Sequence, residues 1–297
     1  MTDTASPSTA RSLLDKYGFR CRKSLGQNFL VDGNIVNKII DSAILEKEDV
    51  VLEIGPGLGV ITRAAAARAG SVVALELDRA LLPILEETLQ GLENVYVVQG
   101  DAMEADFDAI VRSRTGHSGS YKMIANLPYY ITTPLIMRIL TGGYNVTSLV
   151  IMVQQEVAER ITAPPGGRDY GALTVAVRFY TEARYLFRVP GTVFIPRPDV
   201  DSAVICLSRR AGPPVEVPDE ELFFKVVRGS FGKRRKTLLN ALGSVFTDIP
   251  REMLKELITK AGVDPGRRGE TLDLGEFAGV TREIHGFISL SPAVFRR

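Results

Sequence analysis

Strand-like apolar runs alternate with helical runs through the first two thirds of the chain. This predicts an α/β fold, a doubly wound and mostly parallel sheet of seven strands. Two further observations support it. The glycine-rich turn Gly55-Pro56-Gly57-Leu58-Gly59 follows the first buried strand and opens a helix. Beyond a proline- and glycine-bearing stretch at 209–218 the pattern becomes wholly helical, which predicts a small all-helical C-terminal domain. For 297 residues the natural division is one large and one small domain. The expected boundaries are a disordered tail over 1–10, an α/β domain over 11–210 and a helical domain over 219–297.

In chain order, residues 12–19 predict a short helix. The segment 20–30 is basic, then polar, with little periodicity. It reads as an ordered loop whose cations suit a phosphate backbone and whose Gln27 and Asn28 suit a ligand; it reads equally as a solvated loop. Residues 34–43 place Ile35, Val36, Ile39, Ile40 and Ala43 on one helical stripe. A buried strand at 50–54 leads through the glycine turn into an alanine-rich helix. The second strand, 71–75, ends in Glu76-Leu77-Asp78, and a helix covers 81–89. The third strand, 95–98, ends in Gln99-Gly100-Asp101, and a helix passes through Ile110 and Val111. The fourth strand ends in Asn126-Leu127-Pro128-Tyr129, and the helix 131–140, the strand 149–153 and the helix 155–162 follow. After a Pro/Gly loop at 164–171, residues 173–180 read as helix. Residues 185–189 and 203–207 read as an antiparallel hairpin at the sheet edge. Pro196 and Pro198 between them exclude a central strand there. Helical runs at 222–231, 237–242, 251–261 and 274–284 make up the C-terminal domain.

Composition narrows the function. Cys21 and Cys206 stand far apart and predict a reduced, cytoplasmic setting rather than a disulfide framework. With only His117 and His285, neither a metal site nor histidine acid–base chemistry is expected. No apolar run reaches the roughly 18 residues of a membrane span, and the Ser/Thr-rich start carries no apolar signal segment. The net charge is +1, so any nucleic-acid footprint is local.

The strand ends carry the chemistry. Glycines at 55, 57 and 59 let the backbone turn tightly and approach a ligand. Glu76, about 20 residues further on at the next strand end, is placed to accept from ribose hydroxyls. Asp101 at the third strand end suits an adenine amino group. A dinucleotide dehydrogenase shares part of this pattern, but the spacing is GxGxG and nothing downstream suits hydride transfer. At the fourth strand end, an amide oxygen on Asn126 and a backbone carbonyl before or at Pro128 are two acceptors, enough to hold an exocyclic NH2 by both hydrogens. Tyr129 can stack on the ring bearing it. The same four residues also make an ordinary turn.

Taken together these motifs identify a family. The chain resembles the S-adenosylmethionine-dependent rRNA adenine N6-dimethyltransferases, and within them the small-subunit (16S) type. The resemblance rests on Lys23-Ser24-Leu25-Gly26-Gln27-Asn28-Phe29-Leu30, Glu53-Ile54-Gly55-Pro56-Gly57-Leu58-Gly59, Glu76-Leu77-Asp78, Gly100-Asp101-Ala102, Asn126-Leu127-Pro128-Tyr129, Val153-Gln154-Gln155-Glu156-Val157-Ala158, Phe194-Ile195-Pro196-Arg197-Pro198 and Phe231-Gly232-Lys233-Arg234-Arg235-Lys236. These run in family order from Lys23 to about Lys236. The resemblance implies a Rossmann-like class I methyltransferase fold with S-adenosyl-L-methionine as methyl donor and no metal. Asn28 and Leu30 are expected to close over the donor, Gly55 and Gly57 to bring backbone against it, and Glu76 and Asp101 to hold its ribose and adenine. Asn126, with the Leu127 or Pro128 carbonyl, is expected to hold the target N6, and Tyr129 and Phe194 to stack on the target base. The implied function is dimethylation of two adjacent adenosines in the 3′-terminal hairpin loop of 16S rRNA, in the 30S subunit or its precursor, by a monomer. The sister type acting on 23S rRNA, and a catalytically silent ribosome-assembly factor, are the alternatives. One departure is Tyr130, where relatives often carry a small polar residue. The segment before Arg11 is expected to be dispensable.

The C-terminal domain opens with a second signal. Residues 221–240 hold Lys225, Arg228, Lys233, Arg234, Arg235 and Lys236, six cations against Glu221 alone. Such a cluster supplies phosphate contacts, or it is simply a solvated helix face. Arg22 and Lys23, beside Arg20, form a second basic patch, and Arg267-Arg268 a third; together they predict an RNA-contacting surface shared between the domains.

Overall fold

The computed structural model describes residues 6–22, 25–233 and 235–290. Its contacts separate into two units, Met1–Ala158 with Glu182–Arg209, and Glu159–Thr181 with Arg210–Arg297.

The first unit starts with helix α1 (Pro7–Lys16), the short strand β1 (Phe29–Leu30) and helix α2 (Gly33–Ala43). Then come β2 (Val50–Ile54), α3 (Val60–Ala66), β3 (Ser71–Glu76), α4 (Leu82–Thr88), β4 (Val95–Gln99) and α5 (Phe107–Thr115). The series continues through β5 (Tyr121–Asn126), α6 (Thr132–Thr141), β6 (Val146–Gln154) and α7 (Gln155–Thr162), whose last turn belongs to the second unit. Strands β7 (Thr181–Val189), β8 (Phe194–Ile195) and β9 (Ser202–Arg209) close it.

Seven strands form one sheet in the order β4-β3-β2-β5-β6-β9-β7. β2 through β6 pair in parallel, and β9 runs antiparallel to β6. The chain winds outward from β2 to β4, then crosses back to β5. Strand order therefore reverses between β2 and β5, and a crevice opens at the carboxyl ends of the strands there. β2 is buried along its whole length, as expected of a parallel strand covered on both faces. The stripe on α2 (Val36, Ile39, Ile40, Ala43) packs in one cluster with Val51 and Val72 from the sheet. Asp32 starts that helix by accepting from the Asn34 and Ile35 amides at 2.9 and 3.0 Å.

The expected edge hairpin differs in detail. β9 and β7 are neighbours, but the proline-bearing stretch between them contributes β8 to a separate two-stranded ribbon with β1, pairing Phe29 with Ile195 and Leu30 with Phe194. The tail expected to be disordered through residue 10 is corrected for residues 6–10. α1 begins at Pro7, where proline lacks only an amide the helix would leave unpaired, and the Ser6 hydroxyl accepts from the Thr9 amide. Ala10, Leu13 and Leu14 are buried with Phe29, Leu58 and Leu81, so this helix is part of the unit's core. Residues 1–5 lie outside the described residues.

The second unit is helical: α8 (Ala172–Tyr180), α9 (Glu220–Phe231), α10 (Leu238–Gly243), α11 (Arg251–Lys260) and α12 (Leu274–Leu290). The unit boundary differs from one drawn at residue 210. Residues 159–181 join the helical unit because Tyr170, Val175 and Phe179 are buried with Phe223, Val226 and Phe277. Phe179 stacks on Phe223 with ring centroids 4.9 Å apart. Among the described residues no helix is long and apolar enough to cross a membrane.

Candidate active site

The crevice predicted by the sheet order is a cleft enclosing about 1020 Å³, a volume that includes the solvent at its open mouth. Ends of β2, β3, β4 and β5 form its floor. Asn28, Leu30, Gly55, Gly57, Glu76, Asp101, Asn126, Leu127, Pro128, Tyr129 and Phe194 all line it, although they come from six separate stretches of sequence.

The glycine turn after β2 makes the first wall. Gly57 has φ +58°, and a Cβ there would stand 3.0 Å from the Phe29 ring, so both its backbone conformation and its neighbour require glycine. Glu76 ends β3 and is mostly buried. Its Oε1 accepts from the Asp78 amide at 2.8 Å and its Oε2 from the Gly57 amide at 3.4 Å. Burial raises its pKa, and those two amide donors partly offset the rise. Asp101 follows β4, with Oδ1 accepting from the Met103 amide at 2.7 Å. Behind the turn, Glu53 on β2 is 1% exposed and its Oε2 has no hydrogen-bond partner among the described residues. Burial pushes its carboxyl up to about 8.

At the end of β5, the Leu127 amide donates to Met152 O on β6 at 3.2 Å, which fixes the loop to the sheet. The Asn126 amide nitrogen points toward Asn28 O at 3.4 Å. The Pro128 carbonyl already accepts from the Ile131 amide and from the Thr132 hydroxyl, each at 3.2 Å. Both of its lone pairs are engaged, which favours the Leu127 carbonyl over it as an acceptor for a ligand. Tyr129 is half-buried, and its hydroxyl lies 2.9 Å from Ser202 Oγ. Phe194 is 4% exposed and held in β8 opposite Leu30. Tyr130 is 54% exposed at the cleft mouth.

Sequence reasoning missed a polar clamp around Asp78, a residue only 2% exposed. Asp78 accepts from Gln27 Nε2 at 2.8 Å and pairs with Arg22 at 3.4 Å, while Gln27 Oε1 takes the Arg22 amide at 2.8 Å. This ties the segment carrying Asn28 to the loop after Glu76. The signal was available in the Glu76-Leu77-Asp78 run, but nothing in the sequence pairs it with Gln27. Arg22, expected to face RNA, is thus partly committed within its own unit.

In the helical unit, Arg228, Lys233, Arg235 and Lys236 are exposed at and beyond the end of α9, and none forms an ion pair among the described residues. Lys23 and Arg234 lie outside the described residues. In the third basic patch the Arg267 guanidinium is bound by the Glu276 carboxylate and by Thr271, while Arg268 is exposed and lies 3.9 Å from the Glu270 carboxylate.

The donor set suits an uncharged nucleoside. Carboxylates are available for ribose hydroxyls and an exocyclic amine, and apolar walls (Leu58, Leu81) flank them. Among the described residues there is no group of three or more His, Cys, Asp or Glu side chains able to hold a metal ion.

Comparison with known proteins places the chain among close relatives. The family described as ribosomal RNA adenine dimethylase matches residues 18–280. A protein named ribosomal RNA small subunit methyltransferase A from Pelotomaculum thermopropionicum is 53% identical over 285 residues, covering 94% of this chain and 97% of its own. One of the same name from Moorella thermoacetica is 51% identical, covering 96% and 99%. Among solved structures, a dimethyladenosine transferase from Plasmodium falciparum superposes with a TM-score of 0.74 at 23% identity, covering 87% of this chain and 98% of its own. The 23S rRNA methyltransferase ErmE does so with 0.67 at 27%, covering 86% and 99%.

Proposed function

The chain belongs to the ribosomal RNA adenine dimethylase family, and on that premise we propose that it dimethylates the N6 of two adjacent adenosines in the 3′-terminal hairpin loop of 16S rRNA, with S-adenosyl-L-methionine as methyl donor. The observation that carries this reading is the convergence of Glu76, Asp101 and Asn126 on one cleft from three strand ends. Relatives named for the small ribosomal subunit, about half identical over nearly the whole chain, support the small-subunit assignment over the large-subunit one. The substrate is the 30S subunit or its precursor, and the protein acts as a cytoplasmic monomer.

The residues divide the work. Glu76 accepts from the donor's ribose hydroxyls and Asp101 from its adenine amine. Gly55 and Gly57 let the backbone lie against it, and Asn28 and Leu30 cover it. When bound, the donor supplies an electrophilic methyl on a sulfonium, so the protein's task is alignment and exclusion of water.

The amino nitrogen of adenine is a poor nucleophile because its lone pair is delocalised into the ring. For the first methyl the Asn126 side-chain oxygen and the Leu127 carbonyl each accept one N6 hydrogen, which draws that nitrogen toward tetrahedral geometry and localises the lone pair for attack. For the second, the one remaining N6 hydrogen bonds to a single acceptor, and each transfer releases one N6 proton to water. No strong base is needed before methyl transfer, in keeping with the absence of histidine among the cleft-lining residues. Tyr129 and Phe194 sandwich the base, which leaves its stack to enter; a hairpin loop makes that departure cheaper than a duplex would. Arg228, Lys233, Arg234, Arg235 and Lys236, together with Arg22 and Lys23, supply phosphate contacts that give affinity without sequence information.

The test is incubation of separated small and large ribosomal subunits with methyl-labelled donor, followed by nucleoside analysis. Label in N6,N6-dimethyladenosine of the small subunit is expected. Label in large-subunit RNA favours the 23S-type activity, and no label from folded protein favours an assembly role without catalysis.

A further inference from the structure

We propose that Ser202 is a positioning residue for the target base, acting through the Tyr129 ring. The two hydroxyls lie 2.9 Å apart. Ser202 is 1% exposed and is the first residue of β9, where it pairs in register with Gln154 of β6. Its backbone is held from several sides. The Gln155 amide donates to Asp201 O at 3.0 Å, and the Asp201 carboxylate accepts from the Gly191 amide at 2.8 Å and pairs with Arg188. The Ser202 hydroxyl is therefore a fixed peg on the sheet.

Tyr129 has the opposite character. It belongs to a loop, and its ring lines the cleft half-buried. A tyrosine held only at its backbone can tilt about two side-chain torsions. Held also at its phenol oxygen, it has one orientation, and the face it offers is set before any base arrives. Its neighbour makes the contrast: Tyr130 is 54% exposed and makes no hydrogen bond through its hydroxyl among the described residues. Two adjacent tyrosines that both line the cleft thus divide into one tethered and half-buried and one untethered and exposed. Preorganising a contact surface raises affinity by removing the ordering cost of binding.

This inference rests on the proposed role of Tyr129 as the stacking face. The unaltered protein separates the two failures: if it transfers no methyl to small subunits, the proposed function falls first. Given transfer, Ser202→Ala is expected to lower kcat/KM for small subunits by about five- to tenfold, with donor Kd within about twofold of wild type and a Tm lowered by no more than about 2–4 °C. Tyr129→Phe removes the same bond from the other side and keeps the ring, so it serves should Ser202→Ala fold poorly. Its loss should match, and the double variant should be no worse than either single one. Small subunits reconstituted with 2-aminopurine at a target position report stacking by fluorescence quenching without chemistry; both variants should weaken that quenching. A purely structural role would instead lower Tm and donor affinity together. Wild-type kinetics and quenching in Ser202→Ala, or an intact Tyr129→Phe beside an impaired Ser202→Ala, would overturn the proposal.

Discussion

In the sheet unit, Glu76, Asp101 and Asn126 stand on three different strands and still line one cleft, whereas in the helical unit Arg228, Lys233, Arg235 and Lys236 are close in sequence and exposed. The first group is assembled by the fold. Its members are buried or partly buried, hydrogen-bonded to backbone groups and carried at or just beyond the ends of parallel strands. The second group needs only a helix end to carry it, and its charges face water without carboxylate partners among the described residues. A contact made in the first place is geometric and specific; one made in the second is Coulombic and screened by salt. Substitutions should therefore separate chemistry, donor binding and RNA binding.

The largest effect expected is at Asn126. Asn126→Ala removes one of two acceptors on the target amine, and kcat should fall about 10²- to 10³-fold, with donor Kd changed little. Single-turnover methyl transfer beside calorimetric donor titration reads both, and normal turnover would remove the role assigned to the residue. Next is Glu76→Ala. It should raise donor Kd about 10- to 100-fold, the size of losing a hydrogen bond to a charged group in a partly buried site, while RNA affinity measured without donor stays put. Substituting Lys233, Arg234 and Arg235 together by alanine should do the reverse. RNA binding at moderate salt should weaken about tenfold and the log–log salt slope should flatten by about two to three, with donor Kd unchanged. Equal loss of donor and RNA binding in either variant would break the separation of the two regions.

The smallest effect concerns Glu53, whose pKa is raised chiefly by its burial and further by the Glu76 charge. Its folded pKa of about 8 lies above the ordinary 4.5. Its contribution to stability is therefore complete below about pH 4.5 and is lost as pH rises through 8. Glu53→Gln should match wild type near pH 4.5 and melt about 5 °C higher near pH 8.5. Parallel melting curves at both pH values would show that burial does not govern this carboxyl.

Much of the first region was legible in the sequence because parallel strands advertise themselves. Ser71–Glu76 and Tyr121–Asn126 are largely apolar runs whose last residue is polar and stands at the carboxyl end, where ligands of such sheets bind. The Pro/Gly stretch before α9 marked the change to helices. What stayed hidden depends on pairing between distant segments. A two-residue strand such as Phe29–Leu30 has no periodicity, so its ribbon with Phe194–Ile195 could not be read, nor could the clamp of Gln27 on Asp78. Residues 159–181 fall in the sheet domain when the boundary is read from the Pro/Gly stretch at 209–218. Only the burial of Phe179 against Phe223 shows where they pack. α1 was placed too late in the chain because its cap lies in a Ser/Thr-rich stretch that also resembles a disordered tail.

The central claim is that the cleft acts on two neighbouring adenosines of small-subunit rRNA. Mapping N6,N6-dimethyladenosine by reverse-transcription arrest and mass spectrometry on small subunits, from cells with and without this protein, tests it most directly. The account predicts two adjacent modified adenosines in the 3′-terminal hairpin loop with the protein, none without it, and none when Asn126→Ala replaces it. Modification that persists in cells lacking the protein, or that disappears instead from large-subunit rRNA, would contradict it.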